Sequence, residues 1–304
     1  MKIAVIGAGA VGGYFGARWQ QAGVDVTFVV REGRKRQLET TGLVIQSPLG
    51  DVRMTPKLAM SAAEAGDCDL VLLAVKNYHL EAALDTIKAL TDRGAYVLPL
   101  LNGVEHFARL KEVCGDDRVL GGVVQIIVTL NEEGHVVHSN RLHDIQFGPL
   151  DRNQTAFCEK LEQVTEPANM VLRLSTDVEV DIWNKYAFIT AFSGITAASR
   201  LSIDEVLKVP ETVTVFRKLL AEMQELAAAH GVHLREDFVD RIHEWAAAMP
   251  AGATSSMHQD LRKGLPLEVD SLQGAAVRLA GAKGSGVPTV TVVHGLLQPY
   301  AAGN

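Results

Sequence analysis

Cysteine is scarce in this chain of 304 residues. Its three cysteines, Cys68, Cys114 and Cys158, are far apart and odd in number. With no C-x-x-C pair and no metal-ligand spacing, the sequence gives no basis for a disulfide framework or a zinc site. Free thiols in a reducing cytoplasm are expected. An excess of positive charge is also missing: 29 Lys and Arg face 36 Asp and Glu, for a formal net charge of -7. That balance argues against nucleic acid as the main partner, because phosphate binding needs a cationic face. Apolar runs of membrane length are absent too. The nearest, "MKIAVIGAGAVGGYFGA", places one lysine before an apolar stretch, as an export signal would. Its glycines make a poor continuous helix, and its span is too short for a bilayer. A strand, a glycine turn and a helix start explain it better, so a soluble protein is expected. The chain has no internal repeat, no low-complexity tract, no P-loop and no G-x-S-x-G elbow at a strand-to-helix turn. Its 10 histidines offer no metal site either, since "HGVHLRED" follows a helix end and "HVVHS" lies on a strand pattern, as surface histidines do.

What the chain does have is apolar residue types, 47% of the total, enough to bury a large core in about two domains. "KIAVI" (2–6), "DVTFVV" (25–30), "DLVLLAV" (69–75) and "AYVLPLL" (95–101) are short apolar runs rich in β-branched and leucine residues, as buried parallel strands are. Helical patterns over 10–22, 77–90 and 104–112 alternate with them, which implies βαβ units and a parallel sheet. "GLVIQSPLGDVRM" (42–54) predicts a small hairpin around Pro-Leu-Gly. "GGVVQIIVTLNEEGHVVHS" and "HDIQFGPL" predict antiparallel strands that extend the edge of the sheet. From about 177 onward only helical spacing remains, in "VEVDIWNKYAFITAFSGITAA", "PETVTVFRKLLAEMQELAAAHG" and "EDFVDRIHEWAAAM". Pro210 opens the second of these helices and His-Gly closes it. An α/β fold is therefore expected, with a Rossmann-type domain over 1–175 and an all-helical domain over 176–304. A cleft between two such domains is a natural ligand site.

Gly7, Gly9 and Gly12 form G-x-G-x-x-G between the first strand and an amphipathic helix. The spacing alone is weak, but strand and helix on either side make it a dinucleotide-binding turn. Gly7 permits the tight turn, Gly9 lets the backbone approach a pyrophosphate, and Gly12 lets helix and strand pack closely. Ala10, Val11 and Gly12 begin the helix and supply unpaired N–H groups and a positive dipole end. About twenty positions on, where an NAD enzyme has an acid for the ribose 2′-hydroxyl, stands Arg31. A guanidinium grips a 2′-phosphate with paired charge-assisted bonds worth about 1.5–3 kcal/mol, which reads as NADP (NADPH). Arg34, Lys35 and Arg36 follow and add long-range attraction. The competing reading has all four cations as solvated loop residues and Glu32 as the ribose ligand. Lys76 and Asn102 follow the third and fourth strands of the sheet, beyond whose carboxyl ends Rossmann ligands bind. A plain strand-end lysine and a turn asparagine before glycine are the ordinary alternatives.

The chain resembles the ketopantoate reductase (2-dehydropantoate 2-reductase) family along its whole length. The likeness runs through "GAGAVGGYFGARW", "VVR", "AVKNYHLEAAL", "LLNGVEH", "IWNKYAFITAFSG" and "SSMHQDLRKGLPLEVDSLQG". It implies a Rossmann domain followed by a helical domain, and NADPH-dependent reduction of 2-dehydropantoate to pantoate, a step toward coenzyme A. It implies Lys185 as proton donor and Glu268, in "LEVD", as the glutamate that supports it and bonds the substrate's hydroxyl side. Ser256 matches the serine that contacts the substrate carboxylate. On the residues alone, Lys185 would be a solvent-facing helix lysine, Glu268 a helix N-terminal carboxylate and Ser256 a loop or cap residue. The chain departs from the family pattern where many members carry asparagines four and eight residues after the lysine. Ile189 and Ser193 stand there, on the face expected to border the substrate.

Hydride delivery to a 2-oxo acid needs a proton source and an anchor for the carboxylate, which these residues could supply. Two alternatives stay open. One is a reductase of a different, less polar 2-oxo acid; the other is a non-catalytic NADP-binding redox sensor. The pattern leaves the oligomeric state, monomer or homodimer, undecided.

Overall fold

The structure, a computed structural model, describes residues 1–303. It holds two compact units: Met1–Leu101 with His106–Val178, and Asn102–Glu105 with the chain from Glu179 onward. The first unit contains ten strands: β1 (Lys2–Ile6), β2 (Asp25–Val29), β3 (Leu43–Gln46), β4 (Val52–Met54), β5 (Lys57–Ala59), β6 (Leu70–Leu73), β7 (Tyr96–Pro99), β8 (Gly121–Leu130), β9 (Val136–Gly148) and β10 (Val171–Leu174). Five of them form a parallel sheet in the order β5-β2-β1-β6-β7. Their mostly apolar sequences follow from burial on both faces. Ile3, Val5, Leu70, Leu72 and Leu98 enter one core, while Ala4, Ile6, Val71, Leu73 and Val97 enter the other. Side chains alternate across a strand, so each apolar run feeds two layers of packing.

The 42–54 hairpin forms as predicted, with Leu43 opposite Met54 and Ile45 opposite Val52. The strands expected to widen the parallel sheet do not do so. β8 and β9 pair antiparallel, and β9 then takes β3 and β10 as parallel partners, making a second sheet. Only a single bridge, Val97 to Val119, joins the chain just before β8 to β7. The reason lies in the inward residues. Leu43, Ile45, Val136, Ile145 and Phe147 are buried with Tyr14, Phe15 and Trp19 of the Ala10–Gln21 helix, so the second sheet covers that helix instead of lengthening an edge. β5, β10 and the Thr155–Thr165 helix are further elements that the apolar patterning did not reveal.

The second unit is helical among its described residues, built around the Val178–Ser199 helix. Ala191 to Ala197 are all buried, and such a helix needs neighbours on every side. The Pro210–Ala229, Phe238–Ala247, Ala275–Ala282 and Pro288–Leu297 helices supply them through one continuous apolar core. No helix among the described residues is long and apolar enough to cross a membrane.

One buried polar contact in the first unit gives a direct stability test. Trp19 Nε1 donates to Thr165 Oγ1 at 2.8 Å, and both residues are buried. Thr165→Val keeps the shape and removes the acceptor, leaving the indole N–H unsatisfied. Unfolding in denaturant is expected to show a loss of about 1–3 kcal/mol; an unchanged midpoint would mean that water or another group takes over the bond.

Candidate active site

In the first unit, β1 ends at Ile6 and the helix starts at Ala10, so the glycine turn is completed in three residues. Gly7 has φ +98°, a region that side chains disfavour. A Cβ there would stand 2.7 Å from Ala74 O and 2.9 Å from Val75 Cγ1, at the end of β6. A Cβ on Gly12 would collide with the carbonyl oxygen of Gly7. Around Gly9, by contrast, the space a Cβ would enter is open to 4 Å. No side chain caps the helix, and its first turn carries no acid. The first-turn N–H groups of Ala10, Val11 and Gly12 therefore lack a side-chain acceptor, as a diphosphate site requires. These residues fit a dinucleotide.

Beyond β2, the four clustered cations separate into different roles. Arg31 is exposed at the N-cap of the Glu32–Thr41 helix, and no hydrogen bond or ion pair engages its guanidinium among the described residues. Its charge helps lower the pKa of His79, although partial burial of that imidazole is the larger cause. Arg34 turns inward: Nε donates to Ala8 O at 2.9 Å, and Nη1 donates to Gln37 at 2.6 Å and Gly134 O at 3.0 Å. Burial pushes its pKa down. Arg36 pairs with Glu32 at 2.7 Å. Arg34 thus holds the glycine turn itself, a role that no local pattern signals because its partner Ala8 lies far back in the chain. Lys76 is half-buried and follows the Ala74–Val75 pair that borders Gly7.

In the second unit, Lys185 is half-buried on the Val178–Ser199 helix. Loss of hydration lowers its pKa to about 8, and the negative charge of Glu268 opposes that shift. Glu268 is only 5% exposed, and Asn102 Nδ2 donates to its Oε2 at 3.3 Å. Asn102, Lys185 and Glu268 therefore form one cluster. Glu268 stands just before a π-helical turn, Asp270–Gly274, and π turns are frequent at functional sites. Two side chains of the Val178–Ser199 helix meet that turn. Tyr186 Oη donates to Leu272 O at 2.9 Å, and Gln273 Nε2 donates to Thr190 O at 2.8 Å and to Ser193 Oγ at 3.2 Å.

The remaining expected residues are distributed unevenly. Ile189, one helical turn beyond Lys185, is half-buried and packs against the helical core. Ser193 does not join the cluster. It is fully buried with its hydroxyl taken by Gln273, because a serine eight residues on drifts from the lysine's face toward the core. Ser256 is exposed at the first position of the Ser256–Arg262 helix, and its hydroxyl makes no hydrogen bond among the described residues. Its neighbour Ser255 is the buried cap, accepting from His258 N at 3.1 Å and bonded to Thr196 Oγ1 at 2.9 Å.

Comparisons with known proteins match this arrangement over nearly the whole chain. The model of the ketopantoate reductase PanE/ApbA family matches residues 3–152, and its C-terminal counterpart matches residues 177–301. An "uncharacterized oxidoreductase YkpB" of Bacillus subtilis is 32% identical, covering 99% of both chains. The 2-dehydropantoate 2-reductase of Archaeoglobus fulgidus is 31% identical over 91% of this chain and 90% of its own. Among solved structures, a 2-dehydropantoate 2-reductase from Geobacter metallireducens superposes with a TM-score of 0.90 at 27% identity, covering 98% of this chain and 99% of that one. With family models over both units and relatives above 30% identity along nearly its whole length, the chain belongs to the ketopantoate reductase family of oxidoreductases.

Proposed function

We propose that the protein is an NADPH-dependent 2-oxo acid reductase whose substrate is 2-dehydropantoate (ketopantoate), the product being pantoate. The observation that carries this reading is Lys185, its ammonium partly stripped of water beside the buried carboxylate of Glu268. A lysine with an ordinary pKa gives up its proton reluctantly; one lowered to about 8 is matched to general-acid work near neutral pH. The carbonyl carbon would take its hydride from NADPH held at the glycine turn. Lys185 donates a hydrogen bond to the carbonyl oxygen, stabilises the charge that grows there and gives it the proton, leaving a hydroxyl and a neutral amine. Glu268 raises the fraction of Lys185 that is protonated and accepts a bond from the substrate hydroxyl. Asn102 keeps that carboxylate in place, and Ser256 anchors the substrate carboxylate. Gly7, Gly9, Ala10, Val11 and Gly12 hold the diphosphate, Lys76 assists at the same end of the sheet, and Arg31 grips the 2′-phosphate.

NADPH oxidation measured against a panel of 2-oxo acids tests the whole reading. Turnover of ketopantoate is expected, and no turnover of any 2-oxo acid would overturn it. The cofactor preference has its own test, motivated by the unengaged guanidinium of Arg31 and the pairing of Glu32 with Arg36. NADPH should bind at least about tenfold more tightly than NADH. Arg31→Ala should weaken NADPH by about ten- to a hundredfold and leave NADH nearly unchanged. Equal binding of the two cofactors by the unmutated protein would return the ribose to Glu32.

The proton donor predicts both a loss of rate and a pH profile. Lys185→Ala should lower kcat by about two to four orders of magnitude with cofactor binding nearly intact. In the unmutated protein, kcat/KM for reduction should fall as pH rises through about 8, because the neutral amine has no proton to give. Glu268→Gln removes the charge that raises this pKa, so the falling limb should move to lower pH. A profile flat to pH 10 would exclude Lys185 as the donor.

Ile189 generates the prediction about substrate. Where many family members offer an asparagine, this helix presents a branched hydrocarbon one turn from Lys185. That favours a second reading, a less polar 2-oxo acid, because an apolar wall discriminates weakly while a missing hydrogen bond costs strongly. Ile189→Asn is expected to improve kcat/KM for ketopantoate relative to apolar 2-oxo acids. Ordinary ketopantoate efficiency in the unmutated enzyme, with no gain from the substitution, would place Ile189 outside the pocket.

A further inference from the structure

Arg278, on the Ala275–Ala282 helix, makes a set of bonds that the reaction above does not use. Its Nε and Nη2 donate to the two carboxylate oxygens of Glu105 at 2.9 and 2.6 Å, a bidentate fork. Its Nη1 donates to Asp270 Oδ1 at 2.8 Å, and Nη2 reaches the Asp270 backbone oxygen at 3.0 Å. Glu105 follows Asn102 by three residues, and Asp270 follows Glu268 by two. One guanidinium therefore joins the two short segments that bring Asn102 and Glu268 to their hydrogen bond.

Two glycines make room for this. Gly103 has φ +88°, and a Cβ there would stand 2.6 Å from Ser271 O, so the loop backbone lies directly on the π-helical turn. Gly274 stands midway between Asp270 and Arg278 in the sequence. A Cβ on it would come within 2.9 Å of Asp270 Oδ1 and 3.3 Å of Arg278 Nη1. The bare backbone at 274 leaves the lane through which arginine reaches aspartate. Tyr186, the residue next to Lys185, has its pKa raised chiefly by burial and further by Glu105, while Arg278 opposes the rise. The three charged side chains are 48%, 38% and 70% exposed for Arg278, Glu105 and Asp270. Exposed single ion pairs contribute little to stability, so geometry is the larger consequence of such a fork.

We propose that Arg278 is a positioning residue: it clamps the Asn102–Glu105 segment to the π-helical turn and so fixes Asn102 and Glu268 beside Lys185. The inference rests on Lys185 and Glu268 being the reacting pair.

The test compares Arg278→Met, Arg278→Lys and Gly274→Ala in the full-length protein. Each variant is first checked for thermal unfolding and NADPH binding. In Arg278→Met, kcat is expected to fall by about ten- to a hundredfold with KM and the NADPH Kd nearly unchanged, as misplacement of catalytic groups does. Arg278→Lys should recover only part of the loss, because an ammonium cannot fork a carboxylate. Gly274→Ala should lower kcat in the same direction while leaving every charge in place. A folded Arg278→Met or Gly274→Ala with kcat within about twofold of the unmutated protein overturns the clamp, as does a fall in kcat that merely tracks the unfolded fraction. A second arm needs no substrate: competitive acylation of Lys185 across pH, read by mass spectrometry. Its midpoint, about 8 in the unmutated protein, should shift in Arg278→Met, because the hydration of the ammonium and its distance from the Glu268 carboxylate both change. If the unmutated protein reduces no 2-oxo acid, the proposed function fails and this arm decides alone, an unmoved midpoint overturning the clamp.

Discussion

The helical unit is organised around one expensive arrangement, an ammonium partly removed from water and set beside a buried carboxylate. Neither charge gains from burial alone, since desolvation can exceed the attraction between them. The arrangement holds only if the carboxylate is bonded and the ammonium stays close to it. Asn102 bonds Glu268, and Glu268 offsets part of the desolvation of Lys185. The π-helical turn then follows from a requirement for position. Its carbonyl at Leu272 accepts from Tyr186, and its Gln273 amide donates to Thr190 O and Ser193 Oγ. Three bonds fasten the turn that follows Glu268 to the helix that carries Lys185.

The first unit meets a different constraint, close approach of backbone to backbone. The carbonyl oxygens of Gly7 and Ala74 occupy the space where side chains at Gly12 and Gly7 would lie. That closeness brings the ends of β1 and β6 together and leaves the helix start without a cap. Arg34 ties Ala8 to the tip of the β8–β9 hairpin through Gly134. The second sheet thus reaches the glycine turn from the side, with a cation serving as structural support in place of a ligand contact.

Much of this was legible in the sequence, and what was not has identifiable causes. Apolar runs marked β1, β2, β6 and β7 because burial on both faces leaves few polar positions. The glycine turn was legible because three glycines at fixed spacing answer two close contacts and one open space. The partner of β8 and β9 was not, since antiparallel patterning states that strands pair but not with which sheet. β5, at three residues, is too short to show a pattern at all. Lys185 and Glu268 look ordinary on the residues alone, and only the motifs around them gave them roles. Arg278 was legible in principle through the four-residue steps from Asp270 to Gly274 to Arg278. Its second partner, Glu105, is a contact across the chain that spacing does not encode.

The departure at residue 193 becomes intelligible once Gln273 is considered. A serine hydroxyl is short, so it stays in the core and accepts a bond from a side chain of the π-helical turn. The helix gives up a polar group that could have met a ligand and gains an attachment to the turn that follows Glu268. The exchange is not free: Gln273 Oε1 is buried without a partner among the described residues, which costs about 1–3 kcal/mol. Two bonds donated by the same amide offset part of that cost. Ile189, one turn from Lys185, packs against the helical core and offers no hydrogen bond. What the helix gives up in polar groups at these positions, it regains at residue 193 as a bond that holds the π-helical turn.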